Sequence, residues 1–166
     1  MQPSYKHYLK IIKNTCTGHE EPVTIPSEEL ADLARLAEEH CTVPFVLSSF
    51  RGTPFYPSML QRTRSMMLNY YQIDQFTRHT VSLLEDNGID CILLKGISLA
   101  SCYPVPEYRK LGDLDLYISR KSDVSKAQKL LEANGYIAEN ELSDHHLTYH
   151  YTFPKTGRKF LLELHY

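Results

Sequence analysis

Apolar residues recur every three or four positions through the first half of the chain, and alternate or run unbroken through the second. Tyr5, Tyr8, Leu9 and Ile12 predict a helix behind Ser4 as N-cap. Gly18, Pro22 and Pro26 make Thr17 to Pro26 a loop. Leu30, Leu33, Ala34 and Ala37 predict a second helix, capped by Ser27, with Glu28 and Glu29 favourable in its first turn. Pro44, Gly52, Pro54 and Pro57 predict irregular chain from Cys41 to Pro57. A long helix is expected from about Ser58 to Asn87, with Met59, Met66, Tyr70, Ile73, Thr77, Thr80 and Leu84 on one stripe. Asn87-Gly88 stops it, since glycine enters the left-handed conformation cheaply.

The second half reads differently. Ile89 to Leu94 is a short apolar run and predicts a buried strand, ended by Lys95-Gly96. A short helix fits Ile97 to Cys102, and the prolines of Tyr103-Pro104-Val105-Pro106 predict extended chain. Asp113 to Ile118 alternates as a strand. Ser122 is placed to cap a third helix with Val124, Ala127, Leu130 and Leu131 inward, stopped by Asn134-Gly135. His145 to Phe153 alternates, with Leu147, Tyr149, Tyr151 and Phe153 on one face. Pro154 to Gly157 turns the chain, and Lys159 to Tyr166 closes a hairpin. The expected fold class is α+β: a helical region over residues 1–88 packed on a mixed-sheet core over residues 89–166.

Composition narrows the function classes. The 166 residues suit one domain, and 18 Lys+Arg against 20 Asp+Glu leave a net charge of -2. That balance offers no case for a nucleic-acid binder or a polybasic membrane-surface protein. No apolar run approaches the length of a membrane span. Met1 to Lys10 lacks the apolar core of a secretory signal. Cys16, Cys41, Cys91 and Cys102 are scattered with no C-x-x-C pair, which suits reduced thiols in the cytoplasm.

Candidate chemistry gathers in two stretches. Asp113 and Asp115 lie two apart on a strand and share a face, while Leu114, Leu116 and Ile118 face the other way. Like charges side by side repel, a cost relieved by water or by a cation. In the closing strand, Phe160, Leu162, Leu164 and Tyr166 share one face, and Glu163 and His165 share the other. An unpaired Glu in so apolar a strand is expensive to bury. If this strand lies beside Asp113–Ile118, Glu163 joins the aspartates, and three carboxylates can hold one or two Mg²⁺ ions. Two such ions about 3.5–4 Å apart serve in-line phosphoryl or nucleotidyl displacement. Gly96 follows a strand and precedes a helix, where backbone N–H groups can approach a triphosphate. Lys95 and Arg109 offer positive charge for the same phosphates. Taken singly, each feature has an ordinary explanation: a solvated edge-strand pair, a turn glycine, a surface ion pair. Their order and spacing are what single them out.

The segment LLKGISLASCYPVPEYRKLGDLDLYI, the helix ending NGY, and LLELHY together resemble the uncharacterised nucleotidyltransferase family of the polymerase-β-like superfamily. The resemblance spans about Ile89 to Tyr166. It implies Mg²⁺- (or Mn²⁺-) dependent transfer of a nucleoside monophosphate, AMP first, from a nucleoside triphosphate to an unknown acceptor. It implies metal-ligand roles for Asp113, Asp115 and Glu163, and a phosphate cradle at Gly96 flanked by Lys95 and Arg109. The superfamily at large has Gly-Ser or Gly-Gly at this turn. Here the turn reads Lys95-Gly96-Ile97-Ser98, with Ser98 as the candidate substitute. The third acid is Glu where Asp is commoner.

Other features compete for a role. His145, His146, His150 and His165 lie in adjoining strands, and a solvated polar face explains them better than a zinc site. His165 shares a face with Glu163 and is placed for phosphate contact or base catalysis. Tyr103 and Tyr108 are placed to stack on a base or to pack at a rim. The main alternative is a non-catalytic module, an antitoxin or adaptor that keeps the fold; a metal-dependent phosphohydrolase is weaker. The chain ends three residues after Glu163, at the tip of a core strand, so a fragment lacking a C-terminal part is expected.

Overall fold

A computed structural model describes residues 3–18, 23–139 and 146–166. Six α-helices appear in these residues: α1 Pro3–Thr17, α2 Leu30–Glu39, α3 Val43–Val46, α4 Tyr56–Glu85, α5 Ile97–Ala100 and α6 Val124–Ala133. Five strands, β1 Cys91–Leu93, β2 Leu114–Ile118, β3 Ile137–Ala138, β4 His146–Thr152 and β5 Lys159–His165, form one sheet in the order β1-β2-β5-β4-β3. Only the β2–β5 pair is parallel, so the sheet is mixed and the class is α+β. His145, the expected first residue of a strand, and residues 19–22 of the expected loop lie outside the described residues.

The chain divides into two compact units, Met1–Tyr70 with Ala100–Lys110, and Tyr71–Leu99 with Leu111–Tyr166. This division differs from a cut at Gly88. Residues 71–85 of α4 belong with the sheet, because Phe76 and Leu84 are buried there with the strand residues. Residues 100–110 belong with the first unit, where Tyr103 and Tyr108 pack on Phe45 with ring centroids 6.0 and 5.4 Å away. The first unit is built round Tyr8, Ile11, Leu33, Ala37, Val46 and Phe50, all buried. Burial of each large apolar side chain of this kind contributes about 1.5–3 kcal/mol.

Several local expectations change. The irregular stretch after Cys41 contains α3 and a 3₁₀ turn over Leu47–Phe50. Pro44 is tolerated because it sits in the first turn of α3, where its missing N–H has no partner to lose. Pro106 likewise opens a 3₁₀ turn over Pro106–Tyr108, although Val105 is extended as expected. Ser4 lies inside α1 instead of preceding it. Ser27 and Ser122 do not cap their helices; single 3₁₀ turns lead into α2 and α6. The Glu29 and Asp123 amides donate to the Pro26 and Arg120 carbonyls, so the leading N–H groups find backbone partners. The short β3 had no signal in the alternation.

The expected buried strand, β1, is an edge strand, and its Ile92 is 52% exposed. A run of apolar residues reports what they are and not how many neighbours the strand has.

Three helices end alike. The Thr42 amide donates to the Ala37 carbonyl and Cys41 to Glu38; Ile89 donates to Leu84 and Gly88 to Glu85; Tyr136 donates to Leu131 and Gly135 to Glu132. Each pair is a Schellman closure, which needs a left-handed residue at its corner. Gly88 (φ 71°) and Gly135 (φ 86°) supply it, but in the first unit Cys41 does, at φ 54°. A side chain in that conformation costs about 1–2 kcal/mol. Cys41→Gly is therefore expected to raise stability by about 1 kcal/mol, offset in part by the freer unfolded chain. Urea unfolding checks this, and a fall in the midpoint would contradict it.

Candidate functional site

The site lies in the second unit, on the sheet face opposite its aromatic core. Phe160, Leu162 and Leu164 of β5 point into the core together with Leu114, Leu116 and Ile118 of β2. By alternation, Asp115, Glu163 and His165 take the other face. Pairing of β2 with β5 sets Asp115 opposite Glu163 and Tyr117 opposite His165. Antiparallel pairing with β4 sets Thr148 beside Glu163 and His146 beside His165.

Asp115, Glu163 and His165 converge: one donor atom from each lies within 4.8 Å of the others. His165 Nε2 stands 3.3 Å from Asp115 Oδ1 and 3.5 Å from Glu163 Oε2. Asp115 is 1% exposed, and among the described residues its Oδ2 has no hydrogen-bond partner. Its Oδ1 receives the Lys95 ammonium at 3.0 Å. The hydrogen bond and charge of Asp115, followed by the charges of Asp113 and Glu163, push the Lys95 pKa up. Lys95 is thus a cation paired with the buried Asp115, with its own side chain 55% exposed.

Asp113 precedes β2 and is half-buried. Among the described residues it is not a member of the three-donor cluster, although its charge reaches Lys95. Gly96 sits at φ 64°, and a Cβ there would meet the Asp113 carbonyl oxygen at an ordinary 3.5 Å. Glycine is thus required by backbone conformation more than by space. The Ser98 hydroxyl donates to the carbonyls of Leu94 (3.1 Å) and Lys95 (3.3 Å), closing the turn that holds Lys95. Arg109 belongs to the first unit, where its Nη1 donates to Tyr103 Oη at 3.3 Å and its guanidinium lies over the Tyr103 ring. His146 has its ring 5.4 Å from that of His165, while His150 pairs with Glu139, so these two histidines serve different neighbours. Burial pushes the Cys91 thiol up to about 11, which suits an inert sulfur.

The sequence matches the family described as uncharacterised nucleotidyltransferase over residues 26–166. The chain belongs to that family. The match takes in α2 to α4 as well as the sheet, so the nucleotidyltransferase family's sequence pattern reaches well before the D-x-D strand. No curated protein and no solved structure is significantly similar to the chain. No helix among the described residues is long and apolar enough to cross a membrane.

For this nucleotidyltransferase the donor set suits a divalent cation. Two carboxylates and an imidazole converge, and a buried carboxylate oxygen lacks a partner, a costly condition that a bound cation relieves. Alternation signalled that His165 shares the Glu163 face. What alternation could not signal was that His165 reaches Asp115.

Proposed function

We propose that the protein transfers a nucleoside monophosphate, AMP first, from a nucleoside triphosphate to a hydroxyl or phosphate acceptor, with Mg²⁺ or Mn²⁺ as cofactor. The observation that supports this most is the buried, half-partnered Asp115 facing Glu163 across parallel strands. Asp115 and Glu163 would hold the cation, with Asp113 completing the oxygen donors from the start of β2. A divalent ion bound there lowers the pKa of an attacking hydroxyl and neutralises charge developing on the phosphoryl oxygens. The chain's own residues orient the reactants. Lys95, anchored on Asp115, presents positive charge beside the cluster. Gly96 and the Ser98-closed turn would shape the phosphate side of the site. Arg109, in the other unit, is left out of this assignment.

The test uses the full chain with radiolabelled nucleoside triphosphates and Mg²⁺ or Mn²⁺, following transfer to acceptors and, separately, binding by equilibrium dialysis. Metal-dependent binding, with ATP ahead of the other three, is the expected result. Absence of binding of any triphosphate by folded protein overturns the proposal.

A further inference from the structure

We propose that His165 is itself a ligand of the divalent cation held by Asp115 and Glu163, so that the site binds through nitrogen as well as oxygen and favours Mn²⁺, Co²⁺ or Zn²⁺ over Mg²⁺. This rests on the cation-site reading above and extends it to the choice of metal.

Three observations converge on His165. First, its Nε2 faces both carboxylates, 3.3 Å from Asp115 Oδ1 and 3.5 Å from Glu163 Oε2. One ring proton serves one acceptor well, whereas a cation bonds to all three donors at once. Second, those separations match a metal's coordination sphere. Donors bound at about 2.0–2.2 Å and set at octahedral or tetrahedral angles stand roughly 3.0–3.5 Å apart. Third, Asp115 is almost wholly buried and its Oδ2 has no partner among the described residues, although Lys95 and His165 already contact Oδ1. The carboxylate is held short of its full complement of bonds, beside an imidazole whose contact goes to Oδ1 and leaves Oδ2 bare.

Imidazole changes which metal binds. Mg²⁺ prefers oxygen and water in a near-ideal octahedron, so a nitrogen donor adds little for it. First-row transition ions accept nitrogen readily, and zinc has no geometric preference to violate. Two carboxylates and one histidine, with further positions left to solvent or phosphate, make a mixed site of that kind. The sheet register supports the assignment, since His165 follows Glu163 by two on β5 and the same pairing that opposes Glu163 to Asp115 carries the ring along.

The experiment measures Mn²⁺ on the full chain without nucleotide. Pulsed electron paramagnetic resonance reads directly bound nitrogen, and calorimetry reads affinity. The wild type is expected to show ¹⁴N coupling that becomes ¹⁵N coupling when histidine is ¹⁵N-labelled. His165→Gln is expected to lose the coupling and at least about tenfold in Mn²⁺ affinity, the least that loss of even an outer-sphere partner costs. Mg²⁺ affinity should fall by less than Mn²⁺ affinity, since Mg²⁺ prefers oxygen donors. His146→Gln, beside the ring but outside the cluster, should keep the coupling. If His165→Gln fails to fold, labelled wild type and labelled His146→Gln decide together, since coupling that persists without His146 leaves His165 as the histidine at the cluster. Mn²⁺ bound without nitrogen coupling, coupling that survives His165→Gln, or no Mn²⁺ binding overturns the inference. Triphosphate binding in Mg²⁺, measured on the same samples, separates the two claims. Binding with no nitrogen coupling removes this inference alone, and coupling without triphosphate binding removes the transferase proposal alone.

Discussion

Asp115→Asn is expected to lower divalent-cation affinity by at least about 100-fold, the upper end of what even an outer-sphere loss costs, while leaving the protein more stable than wild type. The two effects share one cause. Asp115 is a charge buried in the sheet with one oxygen unpartnered, a condition that burdens folding and is relieved when a cation binds. Removing one member of a buried ion pair costs about 3–5 kcal/mol when it strands the other inside. Here the other member, Lys95, is more exposed than buried and returns to water. Asparagine keeps the shape and removes the buried charge, so a small gain in stability is expected. Calorimetric titration with Mn²⁺ and urea unfolding of the same variant check both halves. Unaltered affinity, or a variant less stable than wild type, would show that Asp115 serves the fold and not a cation.

Phe76→Ala should produce the largest loss of stability of any single truncation in the second unit, about 3–5 kcal/mol. Phe76 is fully buried on α4 and is the hub of an aromatic cluster. It stacks on Phe160 at 4.9 Å, on Tyr151 at 5.9 Å and on Tyr136 at 6.2 Å, and meets Phe153 edge-on at 6.3 Å. Alanine removes the ring from all four contacts, and rings held by their own stretches of backbone cannot collapse fully into the space. A domain stable by about 5–15 kcal/mol loses a large share of that margin. The urea midpoint should fall with little change in slope. The consequence reaches the site, since Phe160 and Glu163 stand on opposite faces of β5. A loss below about 1 kcal/mol, typical of an ordinary substitution, would refute the hub assignment.

Phe76 also marks where the sequence stops being legible. The helix was readable as a stripe through Met59, Met66, Tyr70, Ile73, Thr77, Thr80 and Leu84, and all but the half-buried Tyr70 prove buried. The stripe passed over Phe76, because periodicity gives a direction round one helix and not the aromatic partners three other segments bring to it. Thr80 is a related case. Its hydroxyl meets Tyr136 at 2.8 Å, a buried contact between residues 56 apart in the chain. The site divides the same way. Lys95, Gly96, Asp113, Asp115 and Glu163 were recognisable by type, order and parity. The rejection of a shared His146–His150 site also followed from strand geometry. Asp113's place outside the tight cluster, Asp115's depth, and the grip of Lys95 on Asp115 were not recognisable.

What the amino-acid order settled were properties local to each segment: where the long helices and strands lie, which face of a strand holds carboxylates and which holds leucines, and that Gly88 and Gly135 stop their helices. These depend on backbone geometry that repeats within a few residues. The parallel register that sets Asp115 against Glu163, and so brings His165 within 3.3 Å of a buried aspartate, joins residues about fifty apart. Such a pairing is chosen by the collective burial of both strands' other faces, and a shift of one residue would send every one of these side chains to the opposite side of the sheet. No single segment contains that choice; the folded sheet alone makes it.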